Sequence, residues 1–147
     1  MTTPSAELQV QRTISRFMNS FDLKNWDTMR RLLADVVRVD YSALRGEPPR
    51  TITAEEFVSA RIAALQALQT HHLIANFDIE ARSDSADAQA SCVIHRTDPS
   101  KDGAQFTSHA YYRFGLELHG SQWKIHSITQ SIFWNEGDPG LHSGVSK

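Results

Sequence analysis

The sequence predicts an α+β fold in which three helices close one side of a curved, mainly antiparallel sheet. Three observations carry that prediction. Hydrophobic spacing is helical as far as about Gln69 and alternating beyond it. The second half is divided into long extended stretches by short polar turns. Three helices precede a run of long extended stretches instead of alternating with them, which segregates the helices to one face. This layout leaves a conical hollow between sheet and helices, a natural place for an apolar ligand.

The elements follow in order. Val10, Ile14, Phe17, Met18 and Phe21 recur at three- and four-residue spacing, so Ala6–Phe21 reads as an amphipathic helix. Asn25 is an N-cap for a second short helix whose buried side is Trp26, Met29, Leu32 and Leu33. Val36–Tyr41 is a β-branched strand, and Ala43–Arg50, with Gly46, Pro48 and Pro49, reads as loop. Thr53-Ala-Glu-Glu56 has capping-box spacing and starts a third helix that runs through Phe57, Arg61, Ala64, Leu65 and Leu68 to about Gln69. Thr70–Ala81 and Asp87–Thr97 are extended and joined by a turn at Ser83-Asp84-Ser85. Gln105–His119 alternates with Phe106, Ser108, Ala110, Tyr112, Phe114, Leu116 and Leu118 on one side, and a turn at His119-Gly120-Ser121 leads into Gln122–Trp134. The tail after Glu136 carries Gly137, Pro139, Gly140 and Gly144 and reads as frayed.

The 147 residues, 40% apolar and 22% charged, fit a single domain with an ordered core over about 6–136. A net charge of −2 with no block of like charges argues against nucleic-acid or anionic-membrane partners. One cysteine, Cys92, excludes an intramolecular disulfide and a cysteine-rich metal site. No apolar run approaches the ~20 residues of a membrane span and residues 1–11 lack a signal-peptide core, which points to a cytoplasmic protein.

Three side chains do not fit a plain core. Asp22 lies four residues after Met18 and eight after Ile14, so a helix extended to it puts a carboxylate on the buried stripe. If the helix ends earlier, Asp22 caps the next helix or faces solvent. Tyr41 shares strand parity with Val37 and Val39 and points inward, its hydroxyl needing a partner, while Arg38 and Asp40 face the other way and pair. Of the adjacent His71 and His72, one faces the interior if only one sheet face is covered. A buried histidine beside a carboxylate has its protonation tuned near neutrality. His95, His109 and His126 fall on successive strands and raise a metal site, but with no HxH or HExxH spacing none is expected. Neither GxGxxG nor GxxxxGK[ST] occurs.

Phe21-Asp-Leu-Lys-Asn-Trp-Asp27, Arg30-Arg-Leu-Leu-Ala34, Val37-Arg-Val-Asp-Tyr41, Ala54-Glu-Glu-Phe-Val58, Thr70-His-His-Leu-Ile74 and Trp123-Lys124 through Trp134, Glu136 and Asp138 resemble the SnoaL-like branch of the nuclear transport factor 2-like superfamily, and within it the scytalone dehydratases. The resemblance implies a cone-shaped α+β barrel. It sets Asp22, Tyr41 and His72 on the positions of that family's pocket carboxylate, one of two pocket tyrosines and first catalytic histidine. The other tyrosine is replaced by Phe21, the pocket serine and asparagine fall at Ala110 and Tyr112, and the second histidine aligns near Thr97, with His95 the nearest replacement.

The resemblance therefore implies a cofactor-free dehydratase or isomerase acting on a hydrophobic carbonyl compound (a polyketide, steroid or aromatic ketone) other than scytalone. Asp22, His72 and Tyr41 would supply the acid–base chemistry, Tyr112 and His95 further donors. Phe17, Phe21, Trp26, Phe57, Leu65, Ala110, Phe114 and Trp134 would line the pocket. A homo-oligomer, dimer or trimer, is expected through an outer sheet face carrying His109, Tyr111, Arg113 and Ile132. The alternative is a non-catalytic ligand-binding or assembly module of the same fold.

Overall fold

The computed structural model describes residues 2–142. In order it contains α1 (Ala6–Asp22), α2 (Trp26–Leu32), β1 (Leu33–Asp40), α3 (Ser42–Arg45), β2 (Arg50–Thr53), α4 (Ala54–Leu65), β3 (Gln69–Ala81), β4 (Ser85–Thr97), β5 (Gln105–His119), β6 (Gln122–Gly137) and a 3₁₀ turn at Pro139–Leu141. Each longer helix starts on an identifiable cap: Ser5 accepts from the Leu8 N–H, Asn25 from that of Thr28 and Thr53 from that of Glu56. In α1 the turn continues to Asp22, which settles that its carboxylate leaves the helix beside Met18.

The strands form one sheet in the order β2-β1-β6-β5-β4-β3. All neighbours are antiparallel except β1 and β6. The sheet curls around the helices without closing, so the expected barrel is an open one with β2 and β3 as free edges. Val10, Ile14, Phe17 and Met18 of α1 pack against Leu33, Val37, Phe114, Leu116, Ile125 and Ile128, all buried. Burying such side chains contributes about 1.5–3 kcal/mol each.

Four expectations need correction. The segment read as loop holds most of α3, and at its last residue, Arg50, begins the unanticipated edge strand β2, whose Ile52 pairs with Val37. α4 stops at Leu65, and Gln69 already pairs with Thr97. The tail is ordered through 142: Asp138 caps the 3₁₀ turn, and Leu141 and His142 are buried. Residues 143–147, with Gly144, lie outside the described residues. Finally, Asp40 accepts from the Ser42 N–H and hydroxyl at 3.1 and 2.6 Å instead of pairing with Arg38, and these bonds hold its carboxyl below the usual range.

Candidate active site

Asp22 ends α1, where the helix dipole disfavours a carboxylate unless donors compensate. Three do so. Thr70 Oγ1 donates to Oδ1 at 2.9 Å, His72 Nδ1 lies 2.6 Å from the same oxygen, and the His72 backbone N–H donates to Oδ2 at 2.8 Å. As an edge strand, β3 has N–H groups with no strand partner, and Asp22 takes one of them. The carboxylate thus fastens helix to sheet. Of the two adjacent histidines His72 faces inward, with its ring centroid 4.8 Å from that of Phe21, and His71 is exposed.

Burial pushes the Asp22 carboxyl up, but its bonds to His72 and Thr70 and the attraction of the imidazole outweigh this and hold it below the usual range. For His72 burial dominates and lowers its pKa, with Asp22 pulling the other way. At neutral pH the pair is therefore a carboxylate and a neutral imidazole. The bond to Asp22 assigns the proton to Nδ1 and leaves the lone pair on Nε2.

His72 lines an interior cavity with Phe21, Tyr41, Leu65, Tyr112 and, unanticipated from sequence, Arg61, Arg96 and Gln130. Leu44 of α3 and His142 close it over. Its free volume is about 20 Å³, close to what one water needs. The Tyr41 ring is within cation–π reach of two guanidinium groups, 5.7 Å from that of Arg45 and 5.4 Å from that of Arg61. Burial raises the phenol's pKa against the pull of Arg61 and Arg45, so it stays protonated. Tyr112 stacks on Phe114, and its hydroxyl accepts from Gln130 Nε2 at 2.7 Å.

Other expected lining residues lie elsewhere. Phe17 and Phe114 are core beneath the cavity, 6.5 Å apart, and Ala110 is buried on the inner face of β5. Phe57 lines a second small hollow that shares Tyr41 and Arg61 with the first. Trp26 borders a surface hollow beside Leu23. His95 is a correction: Cys92, Ile94 and Arg96 take the inward parity of β4, so His95 is exposed and its Nδ1 lies 2.6 Å from Thr107 Oγ1. Trp134 is another, 53% exposed and stacked on His109 at 4.0 Å, past a register shift in β6. His126 packs against Gly115, and among the described residues no three metal-ligating side chains gather. Burial pushes the Cys92 thiol up to about 12, far from a reactive thiolate. A wider surface hollow, about 890 Å³, is lined by Arg12, Arg16, Arg31 and Trp123 and holds no acid–base pair.

The missed residues had a signal. Arg61 is four residues from both Phe57 and Leu65 on the buried stripe of α4, and Arg96 is two from Ile94. Burial pulls both guanidinium pKa values down to about 10, so both remain charged at neutral pH.

A curled sheet packed on an N-terminal helix is the fold that this chain shares with a solved protein of Streptomyces avermitilis described as from the NTF2-like family, with a TM-score of 0.74 at 15% identity over 89% of this chain and 99% of that one. More narrowly, the chain belongs to the SnoaL-like domain family, whose model matches residues 3–129. A scytalone dehydratase of Pestalotiopsis fici is 26% identical over 145 residues, covering 89% of this chain and 74% of that protein. A protein of Kribbella flavida superposes with a TM-score of 0.86 at 23% identity, over 91% of this chain and 94% of its own. A type 2 hexachlorocyclohexane dehydrochlorinase does so with a TM-score of 0.74 at 14% identity, over 92% and 90%. These two structures share the fold. Among the described residues no helix is long and apolar enough to cross a membrane.

Proposed function

We propose that this protein is a lyase of the dehydratase type, or an isomerase, working by acid–base chemistry on a carbonyl compound. The observation that carries the reading is the 2.6 Å Asp22–His72 contact, which leaves the basic nitrogen of His72 on the cavity that Tyr41 also lines.

In the proposed reaction His72 Nε2 takes the proton α to the substrate carbonyl, and the C–H electron pair becomes an enolate. Asp22 holds the ring and stabilises the imidazolium that forms. Tyr41 donates a hydrogen bond to the enolate oxygen as charge builds. In a dehydration the enolate expels a β-hydroxyl, which leaves as water with the proton from His72. In an isomerisation the imidazolium returns its proton to the γ carbon of an unsaturated ketone. Either reaction balances in atoms and charge without a cofactor. The scytalone dehydratase relatives at 26% identity support the dehydratase form.

The enclosed volume, about 20 Å³, holds no more than a water, so binding a carbonyl compound requires the cavity to open, and its size does not select among substrates. Exposed Phe133 and Trp134, beside Tyr111 on the outer sheet face, support pairing with a second copy, which light scattering would detect. The deciding experiment is turnover of β-hydroxy ketones by wild type and His72→Ala. A fall of about 10²–10⁴-fold is expected; retained turnover sinks the reading.

A further inference from the structure

Arg61 is 6% exposed and donates no hydrogen bond to any described residue, and its Nε is fully enclosed. Arg45 Nε and Nη2 are likewise enclosed and unpartnered. Arg96 is 3% exposed and partly satisfied, by Ser108 Oγ at 3.0 Å and the Phe106 carbonyl at 3.5 Å. Arg61 and Arg96 line the cavity that holds His72, and Arg45 and Arg61 line the second hollow, which Tyr41 also borders. Among the described residues none of the three has a carboxylate within ion-pair distance. Glu47, which borders the second hollow, pairs with none of them, and Asp22 is committed to His72 and Thr70.

Three mutually repelling guanidinium groups on two adjoining hollows that share Arg61 are costly. An unpaired buried charge is ordinarily neutralised or paired, and a guanidinium at neutral pH cannot lose its proton. Stacking on Tyr41, Phe57 and Phe106 relieves part of that cost, because the rings lie 5.0–5.7 Å from the guanidinium carbons. It satisfies none of the Arg61 N–H groups. The missing partner is an anionic acceptor that none of the described residues supplies. A planar carboxylate matches the guanidinium fork better than a spherical anion does.

We propose that the substrate is an acid: its carboxylate is gripped by Arg61, with Arg45 and Arg96 flanking, while its carbonyl lies against Tyr41 and His72. This deepens the acid–base reading by naming the substrate class as oxo or hydroxy acids. It rests on that reading for the reaction and not for the binding.

The test titrates the full chain with cinnamate and its methyl ester by calorimetry, alongside inorganic phosphate and chloride. The acid should bind at least about 10-fold tighter than the ester, the step expected for a charge-assisted hydrogen bond. Arg61→Met should abolish that preference by weakening the acid alone, and Arg61→Lys should restore part of it. Arg45→Met, at a partly exposed position, makes the same comparison should Arg61→Met not fold. His72→Ala should lose turnover and keep the preference, so failure of the chemistry and failure of the anion site are told apart. Equal affinity for acid and ester, including no binding of either, overturns the proposal. So does weakening of both ligands alike by the arginine variants, or phosphate or chloride binding as tightly as the carboxylate.

Discussion

Two walls of the same cavity follow opposite rules. On one, Asp22 accepts three hydrogen bonds from Thr70 and His72, and His72 has both its Nδ1 and its amide engaged. On the other, Arg61 is just as deeply enclosed and engages nothing but ring faces. Burial is common to both, so compensation is the difference. The satisfied wall holds an imidazole in one tautomer and one orientation. The unsatisfied wall stores binding capacity that only a ligand can use. Arg30 shows the same side chain where no ligand is served: on the surface it meets Glu55 at 2.7 Å and Asp35 at 3.0 Å.

The largest effect should come from breaking the satisfied wall. Asp22→Asn keeps the shape, but its amide cannot accept at both oxygens, so the Nδ1–H tautomer is no longer enforced and the lone pair leaves Nε2. A fall of roughly 10²–10⁴-fold in kcat is expected, as for other orienting carboxylates. Full activity with a lowered melting temperature would show that the pair only fastens α1 to β3. Tyr41→Phe comes next. Loss of one donor to a developing oxyanion costs about 10²–10³-fold in kcat. The phenol has no hydrogen-bond partner among the described residues to lose, so thermal stability should hold. An equal loss in ligand affinity, with kcat intact, would reassign Tyr41 to ground-state binding.

The opposite wall should respond in the opposite direction. Arg61→Met replaces an uncompensated buried charge with an apolar chain of similar length, and should raise unfolding free energy by about 1–3 kcal/mol in urea melts. Arg30→Ala is the surface control. Exposed ion pairs add little, so its melt should overlay wild type. If Arg61→Met destabilises instead, the guanidinium is held by its stacking on Tyr41 and Phe57, and the contrast between the walls disappears.

Sequence patterns located one wall far better than the other. Asp22 was marked by helical spacing, Tyr41 by strand parity, and His72 by the rule that one of two neighbours faces in. Each is a polar group at a position where the pattern asks for an apolar one. Arg61 and Arg96 meet that same criterion, yet a long side chain on a buried stripe reads as one that snorkels to solvent. Only the packing of Phe57 and Tyr41 around Arg61 reveals that it does not. α3 and β2 were hidden because elements of four residues carry no periodicity of their own, and β2 exists through pairing with β1. Trp134 was misplaced because a register shift between His109 and Ala110 resets the alternation in β6, which no spacing rule anticipates. Strand β5, free of Pro, was legible over its whole length, although the register shift at Gly115 was not.

The smallest effect concerns acid stability, and it separates the walls by sign. The folded imidazole of His72 binds a proton less readily than in the unfolded chain, because burial outweighs the help of Asp22. As pH falls below about 6.5 the unfolded chain therefore takes up a proton that the folded state resists, and stability declines. Asp22, whose folded carboxyl lies below its ordinary 3.8, adds its own loss only at lower pH still. His72→Gln should remove the first decline and leave the second, measured as unfolding free energy between pH 7 and pH 3. Arg61→Met removes a fixed charge that does not titrate in this range, so it should lift the whole curve without bending it. A variant curve at Arg61 that changed shape near pH 6 would mean that the two walls are coupled through the cavity, and that the proton on His72 is set in part by the guanidinium groups facing it.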